Sequence, residues 1–233
     1  MTSYSKISEL ALTDFQLPQN PSDCGNLYFG SFHHSVKSPS KRLIDIIGAL
    51  VGLMLTAFVA MVVAIAMVIG DRGPLFYTQI RCGLNGKPFR IWKFRSMVVG
   101  ADQMQHLVEN KATGHIFKNE NDPRITKIGA FLRRTSLDEF PQFWNVLTGE
   151  MSLVGTRPPT VEEVKRYEQH HWERLKVKPG MTGEWQVNGR SHIKEFEAIV
   201  EMDLNYQRQW SILYDINLIL KTIQVVLDRN GAC

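Results

Sequence analysis

The densest polar cluster in the chain is Arg133-Arg134-Thr135-Ser136-Leu137-Asp138-Glu139-Phe140-Pro141-Gln142, which sets two arginines beside two adjacent carboxylates. An ionised aspartate beside arginines can attack phosphorus, because the cations neutralise a diphosphate that would otherwise repel it. The same carboxylates can hold Mg2+, which takes one or two acids plus substrate phosphates. A purely structural reading competes with this one. Ser136 followed three residues later by Glu139 fits a capping box, and carboxylates in a first turn are stabilised by the helix dipole. If the helix instead begins at Pro141, Asp138 and Glu139 lie just outside its positive end and Gly149 closes it. Both registers keep the carboxylates ionised.

Two further segments can meet phosphate. In Met151-Ser152-Leu153-Val154-Gly155-Thr156-Arg157-Pro158-Pro159, two prolines fix the backbone after one arginine, and a glycine permits close approach of a ligand. The planar fork of Arg157 suits phosphate oxygens, although a surface acid is the commoner partner for any single arginine. Lys93-Phe94-Arg95-Ser96-Met97 is the third candidate, with an exposed strand end and snorkelling side chains as its alternative.

The elements that must position these residues include one segment that sets the class of the protein. From Leu43 to Ile69 the only ionisable residue is Asp45, and the 24 residues from Ile46 to Ile69 carry no charge. That length crosses a hydrocarbon core. It starts too late and runs too long for a cleaved signal peptide. Lys41 and Arg42 precede it, while Arg72, Arg81, Lys87, Arg90 and Lys93 follow. Basic flanks at both ends place both ends on the cytoplasmic side, which predicts a re-entrant segment over a single crossing. With no proline in the segment, Gly48, Gly52 and Thr56 are the points where it can break.

Residues 1–37, rich in Ser, Asn and Pro, read as a flexible tail in which His33 and His34 are solvated, no metal-ligand cluster accompanying them. Residues 38–72 are the membrane segment and 73–233 the catalytic domain. Leu75–Cys82 and Pro88–Phe94 have strand-like composition around Asn85-Gly86, a strong hairpin signal because both turn residues tolerate positive φ. Lys87-Pro88 excludes a phosphate-binding P-loop there. Residues 97–110 read as helical, 111–124 as a polar connection, and Ile128–Arg134 as a short helix or turn. Near the end, Ile212, Ile216, Ile219, Leu220, Ile223 and Leu227 form one apolar stripe that can pack on the core or lie on a bilayer.

Cys24, Cys82 and Cys233 are far apart and lack zinc-ligand spacing, so they read as reduced thiols. A net charge of +4 and a pI near 9.0 suit anionic lipid headgroups or phosphorylated substrates. Nucleic acid is not expected, since the arginines are scattered among carboxylates and no module signature is present. A membrane-anchored scaffold would account for the apolar segment but not for the acid pair and the Arg-Pro turn.

Taken in order, these segments resemble the bacterial sugar transferase family, the small monotopic polyprenyl-phosphate phosphoglycosyl transferases that prime exopolysaccharide assembly. The resemblance rests on Lys41-Arg42 with Asp45, Gly73-Pro74, Gln79-Ile80-Arg81-Cys82-Gly83, Lys93-Phe94-Arg95-Ser96-Met97, Asn121-Asp122-Pro123-Arg124 and Arg133 to Met151. It continues through Val177-Lys178-Pro179-Gly180-Met181-Thr182-Gly183, Gln186-Val187-Asn188-Gly189-Arg190 and Asp215. It implies an α+β, mostly helical fold, in which one N-terminal membrane-embedded helix, a short β-hairpin and amphipathic interfacial helices surround a cytoplasmic active site. It implies that Asp138 attacks the β-phosphorus of a UDP-sugar, with Glu139 assisting, releases UMP, and holds the hexose phosphate until polyprenyl phosphate collects it. Mg2+ would bridge the diphosphate and Asp138. Lys93, Arg95, Arg133 and Arg157 match basic positions facing phosphate, and Asp215 matches a further acidic position there. The expected location is the cytoplasmic face of a bacterial inner membrane, and a homodimer is compatible. Two departures stand out: Thr56-Ala57 replaces the Ser-Pro pair that usually breaks the membrane helix, and Thr156 stands where proline is common. The larger members carry a multi-span N-terminal domain, and with only a short polar tail ahead of residue 38 the small form is expected.

Overall fold

The computed structural model describes residues 32–70, 73–104, 108, 119, 122–188, 193 and 195–227. The apolar segment forms one helix, α1, Pro39–Gly70. Proline suits its first position, where no N–H partner is needed. At 1.5 Å per residue, its 32 residues reach about 48 Å. It continues through Gly48, Gly52 and Thr56, so the break expected there is not present.

Helix α1 has two unlike faces. Leu43, Ile47, Leu50, Met54, Phe58, Met61 and Ile65 point away from the protein. The opposite stripe, Lys41, Asp45, Gly48, Gly52, Thr56, Ala60, Val63 and Met67, steps by three or four residues and faces the rest of the chain along nearly the whole helix. Glycines in this stripe bring the backbones together: a β-carbon on Gly52 would lie 2.4 Å from the Phe143 ring, and one on Gly48 would lie 2.5 Å from Leu153. Large residues outward and small or polar ones inward invert the pattern of a soluble helix and follow that of helices packed within lipid.

The hairpin forms as the sequence predicts. Strands β1, Phe76–Cys82, and β2, Pro88–Phe94, pair antiparallel from Phe76–Phe94 to Cys82–Pro88. Asn85 and Gly86 take positive φ, 52° and 74°. Helix α2, Lys127–Arg134, starts on Thr126, whose hydroxyl accepts the Gly129 N–H. A 3₁₀ turn, Leu137–Gln142, leads into α3, Phe143–Thr148, and Gly149 at φ 89° ends that helix, as expected. A second, two-stranded sheet pairs β3, Ser152–Val154, in parallel with β4, Gly180–Thr182.

Around these lie α4, Val161–Val164, a 3₁₀ segment Gln169–Lys176, and α5, Glu184–Val187. Helices α6, Phe196–Gln209, and α7, Ile212–Leu227, follow. Trp172, Leu175, Val164, Phe196 and Ile199 fill one core; Phe89, Ile91, Val146 and Met151 pack with Ala49 of α1 in another.

Two local expectations change. Residues 32–37 are not a loose end: the His33 N–H donates to the Lys176 carbonyl, and the His34 ring meets Trp210 edge-on at 4.7 Å. Residues 97–104 are not helical; Met97 pairs with Ile125, and turns follow. The rest of the expected 97–110 helix, most of the 111–124 connection, residues 1–31, Gly189-Arg190, Cys24 and Cys233 lie outside the described residues. Of the two directions left open for the apolar stripe of α7, most of it takes the outward one, with Ile216, Leu220 and Ile223 exposed, while Ile219 packs beside the buried Leu218.

Candidate active site

The Asp138–Glu139 pair sits in the 3₁₀ turn between α2 and α3. Ser136 adopts φ 55°, ψ 16°, a left-handed conformation that costs a non-glycine residue roughly 1 kcal/mol or more. It folds the chain sharply after α2, so the acids follow the arginine-bearing end of that helix. The capping box does not form, since the Ser136 side chain caps nothing. Glu139 instead accepts a 2.9 Å bond from the Lys93 ammonium at the end of β2. Pro141 lies inside the 3₁₀ turn rather than opening a helix.

Asn145 locks β2 to α3. Its amide donates to the Arg90 carbonyl and to Glu150, and its carbonyl accepts the Trp92 N–H, which satisfies the outer edge of the hairpin. The Thr56 hydroxyl of α1 lies 2.7 Å from the Gly52 carbonyl and 3.1 Å from that of Phe140, the residue after Glu139. The long apolar helix therefore touches the backbone of the turn one residue beyond the acid pair.

Asp138, only 7% exposed, faces a cavity of about 610 Å³ whose walls include Lys93, Arg95, Arg133 and Arg157. Five of the residues singled out from sequence thus converge, with Glu139 tied to the wall through Lys93. Arg133 donates to the Ser96 hydroxyl at 2.9 Å. Burial lowers its pKa, and the Asp138 carboxylate is the strongest of the charges that oppose the shift. Arg95 is committed to local structure as well, donating to the Pro74 carbonyl at 2.7 Å, so it braces the start of β1 while lining the cavity.

Arg157 follows β3 and leans on Glu163, with Nη1 3.0 and 3.2 Å from the two carboxylate oxygens. Burial works against its charge, but Glu163 outweighs that cost and raises the pKa above its ordinary value. Thr156, where proline was the expected residue, uses its hydroxyl to donate to the Arg174 carbonyl. Arg81, Glu163 and Arg166 also line the cavity and had no assigned role in the sequence. Glu163 carries one readable sequence signal, the Thr160-x-x-Glu163 capping box, which does form.

Asp215 is not brought to the cavity. It is 2% exposed and belongs to a clamp at the start of α1, where Lys41 meets it at 2.6 Å. The Tyr206 hydroxyl and the Trp210 indole N–H also donate to it. The expectation that it faces substrate phosphate is corrected by these contacts, which occupy both of its oxygens. Asp45, three residues into the apolar stretch, accepts from the Ser152 hydroxyl and the Leu153 N–H, both at 2.9 Å. Together these bonds fix α1 to β3, and so to the loop carrying Arg157.

Among the described residues, His170, His171 and Glu197 gather ligand-type atoms within 4.8 Å of one another. Nδ1 of His171 accepts the Glu168 N–H, so the neutral ring carries its proton on Nε2 and donates it to Glu197 at 2.7 Å. That tautomer makes the cluster a hydrogen-bonded brace rather than a metal site.

Comparison with known proteins shows the family. A model of the family described as "Bacterial sugar transferase" matches residues 36–229, and the chain belongs to that family. Over 209 residues it is 49% identical to the galactosyl transferase CpsE of Streptococcus agalactiae serotype III, covering 89% of this chain and 46% of that protein. It is 44% identical over 190 residues to the UDP-glucose:undecaprenyl-phosphate glucose-1-phosphate transferase of Escherichia coli K12, covering 78% and 39%. The exopolysaccharide production protein ExoY of Rhizobium meliloti is 35% identical over 202 residues, 83% of this chain and 88% of that one. The chain thus spans less than half the length of the first two relatives and most of the third.

Proposed function

We propose that the protein transfers a hexose 1-phosphate from a UDP-sugar to polyprenyl phosphate on the cytoplasmic face of a bacterial inner membrane. The observation that carries this reading is the placement of Asp138 at a cationic cavity in a member of the sugar transferase family. Relatives whose names specify transfer of glucose 1-phosphate or galactose phosphate to undecaprenyl phosphate support it.

In the proposed reaction an Asp138 oxygen forms a bond to the β-phosphorus, and the bond from that phosphorus to the bridging oxygen breaks. UMP leaves with the electron pair. Arg133 and Arg157 balance the charge that moves onto the leaving phosphate, the role preorganised cations serve in such transfers. Glu139, held by Lys93, keeps the nucleophile's turn in register and assists it. An oxygen of polyprenyl phosphate then displaces Asp138, giving the polyprenyl diphosphate sugar and regenerating the carboxylate.

The donor set suits Mg2+: Asp138 offers a hard oxygen ligand on an open cavity, and substrate phosphates and water complete such a shell. When bound, Mg2+ supplies charge neutralisation of the diphosphate. Asp138 would hold it.

Helix α1 is read as embedding in the cytoplasmic leaflet without crossing. Its inward stripe contacts the same body from Lys41 to Met67, so a crossing would draw that polar body into hydrocarbon. The outward stripe of α7 rests on the same membrane surface.

Intact mass spectrometry after brief incubation with Mg2+ and a panel of UDP-sugars, without lipid acceptor, tests the chemistry. A gain of one phosphosugar, absent in Asp138→Asn, is the expected result and names the hexose. No adduct with any donor, despite UMP release once polyprenyl phosphate is added, would replace the covalent route with direct transfer. For topology, cysteines placed at positions 38 and 73 should both be shielded from an impermeant reagent in intact cells; labelling of one alone means a crossing.

A further inference from the structure

The cavity wall contains an acid that faces the cations rather than the reaction. Glu163 is buried, yet it lines the cavity beside Arg157 and Arg81. Its Oε2 accepts from Arg157 Nη1 at 3.0 Å and from the Thr160 N–H at 2.8 Å, while its own N–H donates to the Thr160 hydroxyl at 3.1 Å. The capping box therefore fixes the carboxylate, and the carboxylate in turn fixes the arginine. The backbone between them is pinned too: the Pro159 carbonyl accepts the Cys82 N–H at 2.9 Å, and the Pro158 carbonyl accepts from Arg81 Nη1 at 3.2 Å.

Arg81 is held from behind by Gln79, whose side-chain oxygen accepts from its Nε and Nη2. Burial and the nearby Arg157 charge both weigh against its ionised form, and Glu163 is the main group that restores it. One guanidinium thus bonds a fixed carboxylate and a second lies within its electrostatic reach, at the edge of the cavity.

We propose that Glu163 is a positioning residue that aims Arg157 at the diphosphate of the substrate, an inference that rests on the function proposed above. An Arg fork gains its specificity from orientation, and five donors on a rigid plane are of use only when the plane is set. Both Glu163 oxygens engage one nitrogen of that plane, Nη1, and Arg157 lines the cavity.

The sign of one effect separates aiming from simple charge summation. If the wall merely added charges, neutralising Glu163 would remove a repulsion and strengthen anion binding. If Glu163 aims Arg157, neutralising it weakens binding, by about 10- to 100-fold, the factor carried by a hydrogen bond to a charged group. The probe is inorganic pyrophosphate, titrated calorimetrically into wild type, Glu163→Gln, Arg157→Gln and the double variant in detergent.

Glu163→Gln should bind pyrophosphate more weakly in the wild-type background and cause no further loss once Arg157 is gone, since the two act as a unit. Glu163→Asp retains the charge but withdraws it by one methylene, and should also lose affinity; it serves if the glutamine variant does not fold. Tighter or unchanged binding by Glu163→Gln, an equal loss in both backgrounds, wild-type affinity in Glu163→Asp, or no pyrophosphate binding by wild type would each overturn the assignment. UMP release from UDP-sugars by wild type, assayed in parallel, tests the underlying reaction. Its absence would sink that reaction while the pyrophosphate titration still decides Glu163.

Discussion

Replacing Asn145 with alanine should loosen the hairpin from the acid pair. Asn145 is wholly buried and makes three side-chain bonds: 2.7 Å to the Arg90 carbonyl, 2.7 Å to Glu150 and 3.2 Å from the Trp92 N–H. Alanine would strand two backbone groups, the Arg90 carbonyl and the Trp92 N–H. Each unsatisfied buried group costs about 1–3 kcal/mol, so the total is roughly 2–6 kcal/mol. For a domain of this size, each kcal/mol lowers the melting temperature by about 2–4 °C, which puts the expected fall at about 4–24 °C. Differential scanning fluorimetry in detergent reads that shift, and the yield of phosphosugar adduct on Asp138 reads the site. Glu150→Gln keeps an acceptor for the Asn145 amide and should melt within about 2 °C of wild type, in line with a replaceable partner near the surface. An Asn145→Ala protein that melts like wild type and forms adduct at the wild-type rate would refute the reasoning, because the edge of β2 would then have found its partners elsewhere.

Three other outcomes follow from the same contacts. Gly52→Ala drives a methyl group into the Phe143 ring and should cost about 1–3 kcal/mol by overpacking, with slower adduct formation because Phe143 follows the catalytic turn; unchanged melting and rate would show that α1 yields freely. Glu139→Gln leaves Lys93 without its anionic partner and should reduce turnover severely, as measured by UMP release, whereas near-normal turnover would remove Glu139 from the mechanism. Asp122 is held below the ordinary aspartate pKa, chiefly by its bonds to Arg124. A carboxyl depressed in the folded state contributes stability above its unfolded pKa and loses it as pH falls through the folded one, so an acid titration should loosen the cavity wall below about pH 4. Asp122→Asn should flatten that acid limb of the melting curve; an unchanged limb would assign it to other acids.

What the sequence revealed follows the range of the forces involved. The hairpin around Asn85-Gly86, the end of α3 at Gly149 and helix α2 were legible because turn chemistry and capping act within a few residues. So were the apolar segment and the convergence of Asp138 with the cationic segments, the latter through ordered motifs rather than periodicity. The clamp of Lys41 on Asp215 was not legible, since its partners lie 174 positions apart and nothing in the sequence around either marks the other. Strands β3 and β4 are three residues each, too short for an alternating pattern. The α7 stripe could be found but its direction could not: the same moment serves a core or a bilayer, and only tertiary contacts show that Leu220 and Ile223 turn outward. Ser136 misled through a sound local rule, because its left-handed backbone removes the geometry a capping box requires.

The contact between Thr56 and the Phe140 carbonyl gives the surrounding lipid a mechanical part to play. A helix that only tethered the protein could tilt or slide as acyl chains stiffen, and nothing downstream would change. Here the same tilt would press on the turn that carries Asp138. Under the proposed mechanism and membrane placement, lateral pressure in the leaflet becomes an input to the position of Asp138, and catalytic rate should vary with acyl-chain composition even at saturating substrate. On this view, the lipid chosen for reconstitution is a kinetic variable as much as a solvent.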